Sequence, residues 1–327
     1  MKQEEKKKKG SGLKLAFELE PTKKFSTGLI SLDAALNGGF VIGSIVEIFG
    51  EESEGKTTLG IQMLARAQRE GLQTLYIDAE HATTPEYLSK FLDLKKLYYV
   101  RPASGEEAFE FLRDFWKEHG TVENMVLIDS VAAMIPEKQV DEGESHFGAL
   151  AKLFSMNLPS VLRGYGKSVV MFTNQIRDAM STSWGGGGKN TTGGWALKFY
   201  AGHRIKVDTI KLIQDSAKVL VGKQVKVEVV KNKFGAPFKT CVLDLEFGTG
   251  FSPESDLFEF ASSNKIIEVQ AAGWIRYESL TIQGRTAFIE KMKEDSELFS
   301  RIHDKCKVLI SERGKVPDKE VVDGREG

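Results

Sequence analysis

Cysteine is nearly absent: Cys241 and Cys306 are the only two in 327 residues. They lie far apart and form no CxxC pair, which excludes a disulfide scaffold and fits a reducing compartment. The five histidines (His81, His119, His146, His203 and His303) stand at no metal-ligand spacing, so no structural zinc is expected. No apolar run approaches a membrane span and the first residues carry no apolar signal core, so the protein is expected in the cytoplasm. An excess of one charge is missing too, with 45 Lys+Arg against 46 Asp+Glu and a net charge of −1. So balanced a chain cannot draw in a polyanion by its overall field, and any nucleic-acid contact must be local. The run Lys6–Lys9 reads either as such a contact or as a solvated tail.

What is present is the composition of a globular protein, long enough for a sizeable core and a smaller second domain. Residues 1–12 are charged and end in Gly and Ser, so they read as flexible. From about Gly43 apolar strands alternate with helical patterns. Strands are expected at 44–50, 73–80, 97–100, 125–130 and 168–175. Helices are expected at 56–70 (closed by Gly71), from Pro85, at 105–119 and at roughly 148–158. The 105–119 segment places Ala108, Phe109, Leu112, Phe115 and Trp116 on one face. This pattern predicts an α/β fold with a mostly parallel sheet covered by helices on both faces. After about 203 the helical pattern stops, and HRIKVDTIKLI, VKVEVVKNK and FKTCVLDLEF read as antiparallel additions at one edge. From about 255 helical segments return around a GW-containing turn. The expected division is a segment 1–24, a core 25–254 and a small α+β C-terminal domain 255–327.

The sharpest local signal is GEESEGKTT (50–58). It satisfies GxxxxGK[ST], follows an apolar strand and opens a helix, which is the context the motif needs. Backbone N–H groups of Gly50, Glu51, Glu52, Ser53, Glu54 and Gly55 would cradle phosphates, helped by the helix N-terminus. Lys56 would reach the β/γ-phosphates, Thr57 would offer a hydroxyl to Mg²⁺, and Thr58 completes the motif. Asp129, at the end of the strand MVLIDS, lies at the carboxyl edge where open α/β sheets bind ligands, placed to hold the same metal. Hydrolysis of ATP needs a group to deprotonate water, and Glu80 at the end of YIDAE fits, with Asp78 as competitor; alternation does not choose between them. Gln175 ends the next strand, where an amide could touch the γ-phosphate.

Several stretches together resemble the bacterial and phage RecA recombinases: FSTGLISLDAALNGG (25–39), GEESEGKTT, IDAEHA (77–82), LIDSVAA (127–133), NQIR (174–177), TTGGWALKFYAGHR (191–204) and VVKNKFGAPFK (229–239). The likeness runs from about 25 to 312. It implies a RecA-like core and a DNA-dependent ATPase, using ATP and Mg²⁺, that polymerises on single-stranded DNA and pairs it with homologous duplex. By the same resemblance Glu80 is the general base, and Gln175 senses the γ-phosphate and couples it to the loop beginning at Ile176. Lys231 and Lys233 reach a neighbour's ATP, Tyr87 stacks on adenine, and Lys198, Phe199 and Arg204 lie at the subunit contact.

The stretch 176–194 is too long and glycine-rich for a plain connector. Arg177, Lys189 and backbone amides there could hold phosphates, and Met180 and Trp184 could stack on or wedge between bases. A second loop, about 138–148, ends in Phe147, where the family carries an apolar wedge. Lys152 and Ser155 match DNA-contacting positions on the following helix, and Gly193 and Gly194 close the DNA-loop motif. Departures from the family pattern are specific. The N-terminal docking helix is missing or reduced to the charged run, leaving LKLAF (13–17) as a docking strand. Glu51 stands in place of a proline, Thr84 of an aspartate, Pro253–Glu254 of an aromatic that caps the base, and Pro159 of a basic residue. Asp208 and Glu228 replace basic residues associated with the second DNA strand, and the acidic tail is weak, with only Glu320, Asp323 and Glu326 in the last eight residues. These leave a second reading, an accessory paralogue without autonomous strand exchange, and a third, a ring helicase or kinase.

Overall fold

The computed structural model describes residues 21–137, 146–164, 166–178 and 189–314. The expectations on Lys6–Lys9, LKLAF, Met180, Trp184 and the tail acids lie outside these residues, as do those on the side chains of His146, Phe147, Arg177 and Lys189.

A short pair, β1 (Lys24–Phe25) with β2 (Phe40–Val41), brackets helix α1 (Ile30–Leu36). The core then alternates β3 (Ser44–Gly50), α2 (Lys56–Arg69), β4 (Gln73–Asp78), α3 (Pro85–Leu88), β5 (Leu97–Val100), α4 (Gly105–His119), β6 (Asn124–Asp129), α5 (His146–Gly164) and β7 (Ser168–Asp178). It continues with β8 (Lys189–Thr191), α6 (Gly194–Tyr200), β9 (His203–Gln214), β10 (Leu220–Asn232), β11 (Lys239–Glu246) and β12 (Gly250–Phe251). The strands form one sheet in the order β12-β11-β10-β9-β3-β7-β6-β4-β5, with β8 on β7. From β5 to β9 the pairings are parallel; β9 to β12 are antiparallel.

Strand β3 is buried at every position, as expected of a strand covered by helices on both faces. One face packs β3, β4, β6 and β7 side chains under α1 and α2 around Leu59, Met63, Tyr76 and Leu127. The other packs under α4, α5 and α6 around Phe109, Phe154, Ile128 and Phe172. The five apolar residues expected on one face of α4 are all buried, and Ser104 Oγ caps its first turn by accepting from Glu107 N at 3.1 Å. Gly71, at φ +82°, takes the left-handed position just after α2.

Beyond β12, helix α7 (Pro253–Ser263), the antiparallel trio β13 (Glu268–Val269), β14 (Trp274–Tyr277) and β15 (Leu280–Gln283), then α8 (Arg285–Glu294) and α9 (Ser296–Gly314) surround their own cluster of Phe258, Ile275, Phe288 and Ile302. Ile30 of α1 joins that cluster.

Four expectations need correction. Strand β7 continues past Gln175 to Asp178 and pairs there with β8, so Gln175 does not end its strand and 176–178 and 189–191 are strand and not loop. Strand β9 was expected to join antiparallel but pairs parallel with β3 through Val46–His203 to Phe49–Lys206. Helix α5 begins at His146 and runs to Gly164 with Pro159 inside it, so residues 146–148 are helix and not loop. Strand β4 ends at Asp78, leaving Glu80 beyond it.

Candidate nucleotide and nucleic-acid site

At the carboxyl ends of the parallel strands the chain leaves β3 at Gly50 and turns into α2. A Cβ on Gly50 would lie 2.3 Å from the Val207 carbonyl oxygen, and Gly55, the residue before α2, has φ +93°. The loop therefore needs glycine at both ends. Lys223 Nζ donates to the Ser53 carbonyl and braces the turn from β10.

Lys56 is buried at the first position of α2. Its Nζ donates to the Glu51 carbonyl at 2.5 Å. Burial pulls its ammonium below the usual lysine range, against the opposing carboxylates of Asp129, Glu80, Glu54 and Glu52. Asp129 is buried at the end of β6 and is hydrogen-bonded by the hydroxyls of Thr173, Thr57 and Tyr76. Burial raises its carboxyl above the ordinary range, and the Thr173 and Thr57 hydroxyls act in the opposite direction. Thr57 and Asp129 thus form one oxygen-donor pair, the chemistry of a hard divalent cation.

The two candidate bases separate clearly. Asp78 is buried and consumed: it accepts from Tyr99 Oη at 2.7 Å, Thr83 N at 3.1 Å and Ala82 N at 3.4 Å, with Arg101 Nε at 3.8 Å. Glu80 is exposed, accepts from Ser130 Oγ at 2.5 Å, and acts electrostatically on both Lys56 and Asp129. Tyr87 comes to the start of α2, its Oη 3.2 Å from Thr58 Oγ1 and its ring edge-on to Phe91. Gln175 pairs in register with Gly50 at the mouth of the loop.

The other expected residues fall into two groups. Lys152 and Ser155 lie exposed on α5, and Gly193 and Gly194 start α6 against it; a Cβ on Gly194 would lie 2.7 Å from Ala151 Cβ. Lys231 and Lys233 have their partners on α6 and not on the phosphate loop. Lys231 Nζ donates to the Lys198 and Phe199 carbonyls at 2.5 and 3.1 Å, and Lys233 Nζ to Phe199 at 3.0 Å. Burial first, then the Lys233 and Arg204 charges, lowers the Lys231 ammonium.

Sequence reasoning missed the residues that tie these parts together: Ser130, Thr173, Asn174, Thr192, Lys223 and above all Glu47. Glu47 carried a signal, a lone charge in the apolar strand SIVEIFG. The others are ordinary polar residues whose contacts span up to 170 positions.

A phosphate loop at the carboxyl edge of such a sheet places the chain in the phosphate-loop class of nucleotide-binding α/β proteins. A family model, the RecA N-terminal domain, matches residues 1–252. Protein RecA of Clavibacter michiganensis is 37% identical over 322 residues, covering 96% of this chain and 87% of that protein. Protein RecA of Chloroherpeton thalassium is 39% identical over 289 residues (86% and 80%), and that of Rickettsia bellii strain RML369-C 37% over 302 residues (90% and 87%). The chain belongs to the RecA family, recombinases of DNA recombination and repair, and membership implies a DNA-dependent ATPase. Among the described residues no helix is long and apolar enough to cross a membrane.

Proposed function

We propose that the protein binds ATP with Mg²⁺, assembles head to tail on single-stranded DNA, and uses that filament to pair the strand with homologous duplex in the cytoplasm. The core over 25–254 would carry the nucleotide and DNA contacts, and 255–327 a separate domain. One observation carries the reading. Lys231 and Lys233 are the lysines the family resemblance sends to a neighbour's phosphates, and they sit on the exposed end of α6, away from their own phosphate loop.

The residues fit the ligand. Gly50 to Thr58 would hold the triphosphate, with Lys56 exchanging the Glu51 carbonyl for phosphate oxygen. Thr57 and Asp129 would hold Mg²⁺, which would neutralise charge on the phosphates. Tyr87 would cover the base. Glu80, held by Ser130, would accept the proton of the attacking water, and Gln175 would contact the terminal phosphate. Trp195, with Lys198 over its ring, is 80% exposed, and Phe199, with Lys233 over its ring, 69%, an uncovered aromatic surface with cations on it, the composition of a protein contact. A contact of this heterologous kind that does not close gives a helical filament. On the DNA side, Lys152, Ser155, Gly193 and Gly194 would face the strand. Asp208 pairs with Lys206 at 2.7 Å and Glu228 lies 3.7 Å from Lys226, so those two acids are met by local lysines.

Negative-stain images with ATP and single-stranded DNA test the proposal. Helical filaments that need both ligands are expected; closed hexamers, or hydrolysis indifferent to DNA, would overturn it.

A further inference from the structure

Glu47 is wholly buried in β3, where it pairs in register with Phe172 of β7 and Arg204 of β9. Its two oxygens are divided between the two strands that flank β3. Oε1 accepts from Asn174 Nδ2 at 2.8 Å, and Oε2 accepts from Arg204 Nε at 2.5 Å. Asn174 in turn donates to the Thr192 carbonyl at 2.9 Å, and its Oδ1 accepts from the Thr192 hydroxyl and from Gln175 N at 2.9 Å. Arg204 lies on the Phe49 ring at 4.6 Å, and its charge acts on Lys198 and Lys231. An unbroken chain of hydrogen bonds therefore runs from Gln175 and Thr192, which bound the 176–191 stretch, through Asn174 and Glu47 to Arg204 at the cationic surface.

We infer that Glu47 is a positioning residue that couples the DNA-loop base to the subunit-contact cations, so that occupancy of one biases the other. The inference rests on the reading of Lys231, Arg204 and the 176–194 stretch given above. A fully buried carboxylate has no water to fall back on, so each oxygen must keep a donor. A displacement of Asn174 cannot be absorbed at Glu47 alone and must be passed to Arg204 or lose a bond. Networks of this kind switch between discrete arrangements, and the coupling they carry is reciprocal.

Two substitutions cut the chain at different points. Glu47→Gln keeps an acceptor for Asn174 but turns an amide N–H₂ toward the Arg204 donor. Thr192→Val removes the hydroxyl at the other end and leaves the ion pair whole. ATP hydrolysis by wild type, each variant and the double variant would be measured with and without poly(dT). Glu47→Gln is expected to keep its DNA-free rate within about twofold and to lose about tenfold of its stimulation by DNA. Thr192→Val is expected to lose about threefold, and the double variant no more than Glu47→Gln alone, because links in series do not add. Should Glu47→Gln fail to fold, Thr192→Val carries the test by itself. Unchanged stimulation in the folded variants, or multiplying losses in the double, would overturn the inference. A wild type not stimulated by DNA would instead overturn the function it rests on.

Discussion

Glu80 and Asp78 stand two residues apart and differ in what surrounds them. Asp78 is spent on Tyr99, Thr83 and Ala82; Glu80 keeps one oxygen toward solvent while Ser130 steers the other. Glu80→Gln is therefore expected to slow ATP hydrolysis by about 100-fold or more, with ATP and single-strand binding retained. Asp78→Asn is expected to leave turnover within a few-fold and to lower stability by roughly 1–3 kcal/mol, since Tyr99 and Thr83 lose a charged acceptor. Steady-state hydrolysis and urea unfolding of both variants decide it; a dead Asp78→Asn with an active Glu80→Gln would reverse the assignment. Alternation in the sequence could not separate these acids because β4 stops at Asp78, and the two-residue rule has no force beyond a strand's end.

Among the elements, the seam between α1 and α7 holds a pH-sensitive group. Asp256 is buried there, its Oδ2 accepting from Ser31 N at 3.1 Å and its Oδ1 without a partner. Burial, with some help from Asp33, pushes its carboxyl up to about 7. An acid raised in the folded state holds its proton more tightly than the unfolded chain does. Below about pH 4 both states are protonated and nothing is lost. As pH climbs from there to about 7, stability falls, and above 7 the loss is complete. Asp256→Asn keeps an acceptor for Ser31 and removes this slope. Its gain over wild type should be small at pH 4 and reach the order of 4 kcal/mol at pH 8. Urea unfolding at the two pH values checks this; an equal gain at both, or a loss at pH 8, would contradict it. Element boundaries were legible where a local rule governs them. Helix α4 shows a cap and a 3.6-residue apolar period, and the phosphate loop shows a motif between strand and helix. Helix α5 was cut short in the sequence reading at Leu158, ahead of Pro159. In the structure buried Leu158 and Val161 hold the last turn on the sheet on both sides of the proline, and packing overrides the local break. The direction of β9 was illegible for another reason: its apolar pattern is the same whether it lies parallel or antiparallel to β3.

Over the whole molecule, the phosphate loop at the carboxyl edge of β3 and the lysines held against the end of α6 are different parts of one subunit, and Asn174 and Glu47 bond Gln175 and Thr192 to Arg204 inside it. That separation is what a catalytic site shared between neighbours requires. Complementation between two damaged subunits tests it most directly. Lys231→Ala keeps Glu80 and the phosphate loop but lacks the lysine; Glu80→Gln keeps the lysine but lacks the proposed base. Each alone should show little DNA-stimulated hydrolysis. Mixed in equal amounts with ATP and single-stranded DNA, they should recover about a quarter of the wild-type rate, the share of contacts that join an intact base to an intact lysine. A mixture no more active than its two components, measured where both bind DNA, would show that Lys231 serves its own subunit or none.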